Sequence, residues 1–133
     1  MRIAVASDHG GFPLKPVVID AARAAGHEVL DLGAYDAESS DYPDSALKIG
    51  AAIHRGEVER GILICGSGVG ACIAANKIQG VYASVCHDTY SARQGVEHDD
   101  MNVLCLGARI VGAALAEELV RAFLGAEFSR AER

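Results

Sequence analysis

The stretch Ile62-Leu63-Ile64-Cys65-Gly66-Ser67-Gly68-Val69-Gly70 runs from an apolar segment into a cysteine and three alternate glycines. Its first half suits a strand buried on both faces. The second half suits a tight turn into a helix, because glycine lets the backbone bend sharply and offer several N–H groups to an anion at a helix N-terminus. The loop is not a nucleotide P-loop, since no Gly-Lys-Ser/Thr closes it. A plain strand-to-helix turn would use the same glycines, so the functional weight falls on Cys65. It stands immediately before the cradle amides, where the positive potential of a helix start favours thiolate over thiol and makes a usable base or nucleophile.

Four similar runs lie on either side: Ile3 to Ala6, Val29 to Leu32, Val81 to Cys86 and Val103 to Leu106. Each reads as a short buried strand. Between them come helical spacings, such as Leu14, Val17, Val18, Ala21 and Ala25, then Ile49 and Ile53, then Ala116, Leu119, Val120 and Phe123. Alternating strands and helices predict an α/β fold, a five-stranded parallel sheet covered on both faces, because each parallel connection needs a crossover. Residues 1–133 form one domain in this reading, with ligands expected beyond the carboxyl ends of the strands.

Chemistry-bearing residues are expected to gather on that edge. Ser7, Asp8, His9, Gly10 and Gly11 follow the first strand, and Asp41, Tyr42 and Pro43 lie in the connection after the second. His87 and Asp88 follow the fourth; His98, Asp99 and Asp100 flank the fifth, with Gly107 and Arg109 after it. His9 and His98 read as loop histidines suited to proton transfer or phosphate contact, His87 is balanced between function and a solvated surface, and His27 and His54 read as polar surface. Asp8, Asp41, Asp99 and Asp100 are also of the type that caps turns.

With 133 residues, half of them hydrophobic, and a net charge of -6, the chain has no basic run to favour nucleic acid or a polybasic membrane role. No apolar run suits a membrane span, and the short N-terminal one does not suit a signal peptide. The cysteines Cys65, Cys72, Cys86 and Cys105 lack CxxC pairing, so a cytoplasmic protein with reduced thiols is expected, with Cys72, Cys86 and Cys105 packing inside elements. No clustered His and carboxylate set suggests a metal, and no cofactor is expected.

Taken together, SDHGG from Ser7, DYP from Asp41, ICGSGVGACIAANK from Ile64 to Lys77, HDTYSA from His87, EHDDMNVLCLGARIVG from Glu97 and AFLGAEF from Ala122 resemble the type B ribose-5-phosphate isomerases, a family that includes the galactose-6-phosphate isomerase subunits. The resemblance covers essentially the whole chain. It implies a Rossmann-like three-layer α/β/α sandwich, a homodimer or tetramer with active sites between subunits, and isomerisation of a phosphorylated sugar through a cis-enediolate. By motif, Cys65 corresponds to the base moving a proton between C1 and C2, and Ser67 to a hydroxyl residue assisting proton transfer to oxygen. The backbone from Gly66 through Gly68, Val69 and Gly70 corresponds to the enediolate cradle. His98 matches the histidine that opens the furanose ring, Asp8 and Tyr42 match residues lining the sugar site, and His9, Arg109 and Arg133 match phosphate contacts.

The sequence departs from the family pattern in two places. Asp99 stands beside His98 where many relatives carry Asn, adding a carboxylate that can raise the pKa of His98 or repel phosphate. Relatives usually continue past the position of Arg133 into a basic tail. The alternatives are an isomerase of another phosphorylated sugar (allose 6-phosphate, galactose 6-phosphate or a tetrulose phosphate), a phosphate- or nucleotide-binding module without catalysis, and a thiol redox protein. A ring-opening His98 favours a pentose or hexose.

Overall fold

The structure, a computed structural model, describes residues 1–34 and 42–129. Asp41 and Arg133 lie outside the described residues. The elements run β1 (Arg2–Ser7), α1 (Lys15–Ala24), β2 (Glu28–Asp31), α2 (Tyr42–His54), β3 (Arg60–Cys65), α3 (Val69–Asn76), β4 (Ala83–Val85), α4 (Thr89–Asp99), β5 (Val103–Gly107) and α5 (Ala113–Gly125). The five strands form one parallel sheet in the order β2-β1-β3-β5-β4. This is the expected α/β sandwich.

The period of two along each strand sorts the core into two layers. Ile3, Val5, Ile62, Ile64, Leu104 and Leu106 face α1, α4 and α5, where Val18, Val96, Leu119 and Phe123 close the layer. Ala4, Ala6, Leu63, Cys65, Val103 and Cys105 face α2 and α3, meeting Ala46, Ile49, Ala71 and Ala75. Small residues dominate this second layer and bring its helices close. At Gly61 a Cβ would lie 2.5 Å from Ile49 Cγ2, so no larger residue fits under α2 there.

Two features differ from expectation. β4 is shorter than the run Val81 to Cys86, because side-chain amides take over its ends: Asn76 exchanges bonds of 2.7 and 2.8 Å with Ala83, and Asn102 Oδ1 accepts from the Tyr82 amide at 2.8 Å. These contacts also cover part of an edge strand that would otherwise be open. α4 is a helix through a segment whose polar composition hides it. Asp88 caps its start, accepting from Ser91 N at 2.7 Å, and only Ala92 and Val96 are buried on its inner face. His98 therefore lies in the last turn of a helix rather than in a loop.

The sheet order positions the site. β1 connects to β2 on one side and neighbours β3 on the other, so the crevice between the carboxyl ends of β1 and β3 is the topological switch point where such sheets bind ligands.

Candidate active site

At that crevice Asp8, His9, Gly10, Tyr42, Cys65, Gly66, Ser67, Gly70 and Arg109 line a cavity of about 270 Å³. Cys65, the last residue of β3, is buried, and the Gly68 amide donates to its Sγ at 3.1 Å. Gly68 adopts φ +85, a left-handed conformation that turns the chain back toward the sulfur and starts α3. The Val69 amide donates to Ser67 Oγ at 3.2 Å. Two cradle amides are thus engaged by the loop's own side chains, while no backbone carbonyl among the described residues accepts from Gly66 or Ser67.

β5 forms the floor of this loop. A Cβ on Gly107 would lie 2.7 Å from the Ser67 carbonyl group, and one on Gly68 would lie 3.1 Å from Leu106 C. The turn after β5 is pinned to the loop through Ala108 N to Cys65 O at 2.8 Å and Arg109 N to Gly66 O at 3.0 Å. The Arg109 side chain consequently passes over Gly66, whose added Cβ would sit 3.8 Å from its Cδ and Nε. A guanidinium here faces the cavity with donors suited to a phosphate.

On the β1 side, buried Asp8 accepts the Gly11 amide at 2.9 Å through Oδ1 and at 3.2 Å through its carbonyl, so the same residue shapes the turn and lines the cavity. His9 is exposed at the rim. Tyr42 opens α2 and lays its ring against Gly70, and Ser45, one turn further, donates to Ser7 O at 2.9 Å. Nearby, buried Lys15 pairs with Asp31 at 2.7 Å and donates to Ala34 O, tying α1 to the segment after β2.

His98 and Asp99 are not on this edge. β5 pairs with β3 so that Val103 is level with Gly61, and Gly107 with Cys65. Residues preceding β5 thus lie at the amino edge, roughly 13 Å of strand away from Cys65. The expectation that all catalytic types converge on one edge of a single chain fails for these two. The physical reason is simple: in a parallel sheet, residues before a strand and residues after it lie at opposite ends. Both are exposed, and Asp99 instead lines a larger cavity of about 480 Å³ along β4 and α4.

The remaining polar groups have other partners. His27 bonds the N-terminal amine and His54 bonds Gln79 O. His87, left open by the sequence, accepts the Gly107 amide on Nε2 at 3.1 Å. Cys86, just past β4, is held above the usual thiol range by burial. Cys72 is half-buried rather than packed away, and a hydrogen bond with Cys105 lowers its pKa to about 7. Among the described residues no cluster of His, Cys, Asp or Glu could hold a metal ion, and no helix is long and apolar enough to cross a membrane.

The sequence model of the family described as ribose/galactose isomerase matches residues 3–133. The chain is 46% identical over 127 residues to ribose-5-phosphate isomerase B of Escherichia coli, covering 96% of this chain and 85% of that protein. It is 42% identical over 130 residues to D-erythrulose-4-phosphate isomerase of Pectobacterium atrosepticum, with coverage of 96% and 85%. The structure of Clostridium thermocellum ribose-5-phosphate isomerase B superposes with a TM-score of 0.93 at 49% identity, covering 96% of this chain and 86% of that one. A match over nearly the whole length, on a fold whose switch point carries the cysteine and glycine loop, leads to one conclusion: the chain belongs to the ribose/galactose isomerase family.

Proposed function

We propose that this protein interconverts ribose 5-phosphate and ribulose 5-phosphate through a cis-enediolate, with Cys65 as the base. The observation that carries this reading is the sharing of one cavity by the Cys65 thiol, the glycine loop, His9 and Arg109. Cys65 removes the proton from C2 of the open aldose. The electron pair forms the C1–C2 double bond and leaves negative charge on O1. Amides of the loop stabilise that charge, with those of Gly66 and Ser67 engaged, among the described residues, neither by a backbone carbonyl nor by the loop's own side chains. The proton returns from sulfur to C1, while the Ser67 hydroxyl relays the proton that O2 loses and O1 gains. His9 and Arg109 hold the phosphate, with Arg133 as a further contact, and Asp8 and Tyr42 line the sugar.

Ring opening is assigned to His98 of a second copy, with Asp99 beside it, in a cytoplasmic homodimer or a tetramer. The position of His98 at the amino edge supports this assignment, because it cannot reach Cys65 of its own chain across the length of β5. Exposed Val69 and Ile73, on one face of α3 beside the cavity, offer apolar surface for such an association.

A four-carbon substrate is the second reading, favoured by the likeness to a D-erythrulose-4-phosphate isomerase. Turnover of C4, C5 and C6 sugar phosphates, measured side by side, tests both. The highest kcat/KM on ribose 5-phosphate is expected, with loss of all turnover in Cys65→Ala. A clear preference for the C4 substrate would replace the first reading with the second, and near-normal turnover in Cys65→Ala would overturn the mechanism.

A further inference from the structure

We infer that His87 is a positioning residue for phosphate recognition, the acceptor that holds the floor beneath the glycine loop and aims Arg109. This rests on the reading of Arg109 as a phosphate contact. Backbone N–H directions alternate along β5. The Ala108 amide points toward β3, donating to Cys65 O, while the Val103 amide points the other way, donating to Tyr82 O on the β4 side. Gly107, an even number of residues from Val103, also points toward β4. But β4 ends at Val85, level with Cys105, so no strand remains to accept from Gly107.

Gly107 is buried, and an amide without an acceptor there is destabilising. His87 supplies the missing acceptor: two residues past the end of β4, its Nε2 takes the Gly107 N–H at 3.1 Å. Because the amide can only donate, Nε2 is the acceptor of this bond. The side chain thus extends the sheet by one bond at the point where the chain leaves β5.

That one bond bears on the site from two directions. Gly107 packs directly under Ser67, close enough that an added Cβ would lie 2.7 Å from the Ser67 carbonyl group. It also begins the turn whose amides at Ala108 and Arg109 clasp Cys65 and Gly66, and whose own carbonyl accepts from Ile110 and Val111 at 3.0 and 3.1 Å. Release of the Gly107 amide loosens the base of this turn, and the Arg109 guanidinium, at the end of a flexible side chain, inherits the whole error. Cys65 keeps anchors outside this turn: the Gly68 amide on its Sγ, and the pairing of β3 with β1 up to Ile64, the residue before it. The defect therefore belongs to phosphate binding rather than to proton transfer.

The test compares His87→Ala, which removes the acceptor, with His87→Gln, whose amide oxygen reaches about as far as Nε2. In His87→Ala, KM for ribose 5-phosphate and the inhibition constant of inorganic phosphate are expected to rise together by roughly tenfold. Over the same change kcat and the rate of Cys65 alkylation by iodoacetamide should stay within about twofold of the parent. His87→Gln should recover most of the loss. An unchanged KM in folded His87→Ala would overturn the inference, as would a fall in kcat equal to the rise in KM, or a Gln variant no better than Ala. Failure of the underlying reading looks different: Arg109→Ala would then leave KM and phosphate inhibition unchanged in a protein with His87 intact.

Discussion

Gly70→Ala is the substitution whose consequences the geometry constrains most tightly. A Cβ at position 70 would lie 2.9, 3.0 and 3.2 Å from Cζ, Cε1 and Cε2 of Tyr42. Favourable carbon contacts begin near 3.5 Å, so the ring must retreat by roughly 0.5 Å or more. Tyr42 is 39% exposed and begins α2, so it can swing outward instead of straining the core. Overpacking then costs near the low end of its range, about 1 kcal/mol, and alanine in a helix returns up to about 1 kcal/mol relative to glycine. Stability should change little, with a shift in Tm of a few degrees at most. The sugar contact proposed for Tyr42 should not survive the shift. Loss of about 1 kcal/mol of binding raises KM roughly fivefold. Initial rates on ribose 5-phosphate for the parent, Gly70→Ala, Tyr42→Ala and the double variant form a cycle. Because the methyl acts through the ring, Gly70→Ala should become nearly silent once the ring is gone. A full fivefold effect in the Tyr42→Ala background would refute the reasoning.

Other outcomes rest on the same structure. Cys65→Ser should be nearly as inactive as Cys65→Ala, because a serine hydroxyl is far less acidic than a thiol; steady-state rates across pH check this. If His98 serves the neighbouring subunit, mixing and reassociating inactive Cys65→Ala and His98→Ala proteins should restore roughly a quarter of parental activity, since half the random dimers carry one intact site. Recovery no greater than the two variants show separately would rule out the shared site. The Cys72 thiol, lowered to about 7 by its bond with Cys105, should be alkylated with a midpoint near that pH, and Cys105→Ala should move the midpoint up. Since this lowering is a property of the folded state, its contribution to stability is present above the ordinary thiol pKa and lost as pH falls through about 7. An unchanged midpoint in Cys105→Ala, read by mass spectrometry of the Cys72 peptide, would remove the pairing as the cause.

Local chemistry makes much of this protein legible from its residues alone. Strands buried on both faces announce themselves as short β-branched runs, and β1, β3 and β5 lie within a residue or two of those runs; β2 matches its run as closely, but it is an edge strand with Glu28 and Leu30 exposed rather than the buried strand expected. The glycines at 66, 68 and 70 mark a sharp turn because few other residues tolerate such backbone, and Gly68 takes a positive φ. Cys65, Gly66, Ser67 and Arg109 are near one another for a reason the strand pattern already contains: all come after the carboxyl ends of parallel neighbours. By contrast α4 is mostly polar, with two buried residues on its inner face, so periodicity does not separate it from a loop, and the sequence reading misplaces His98 with it.

Strand order is beyond the sequence, because it depends on which crossovers pack their helices best against a shared sheet, a property of the assembled layers. The order β2-β1-β3-β5-β4 puts the end of β1 beside the end of β3 and so brings Asp8 and His9 to Cys65. The same assembly sends His98 to the far edge and leaves Gly107 pointing past the end of β4 toward His87. Sequence reading can name the reactive groups, since reactivity begins with residue type and local backbone. Which of them meet, which lie on opposite edges, and which buried amide lacks a strand partner are matters of register between distant segments, and register exists only once the sheet has formed.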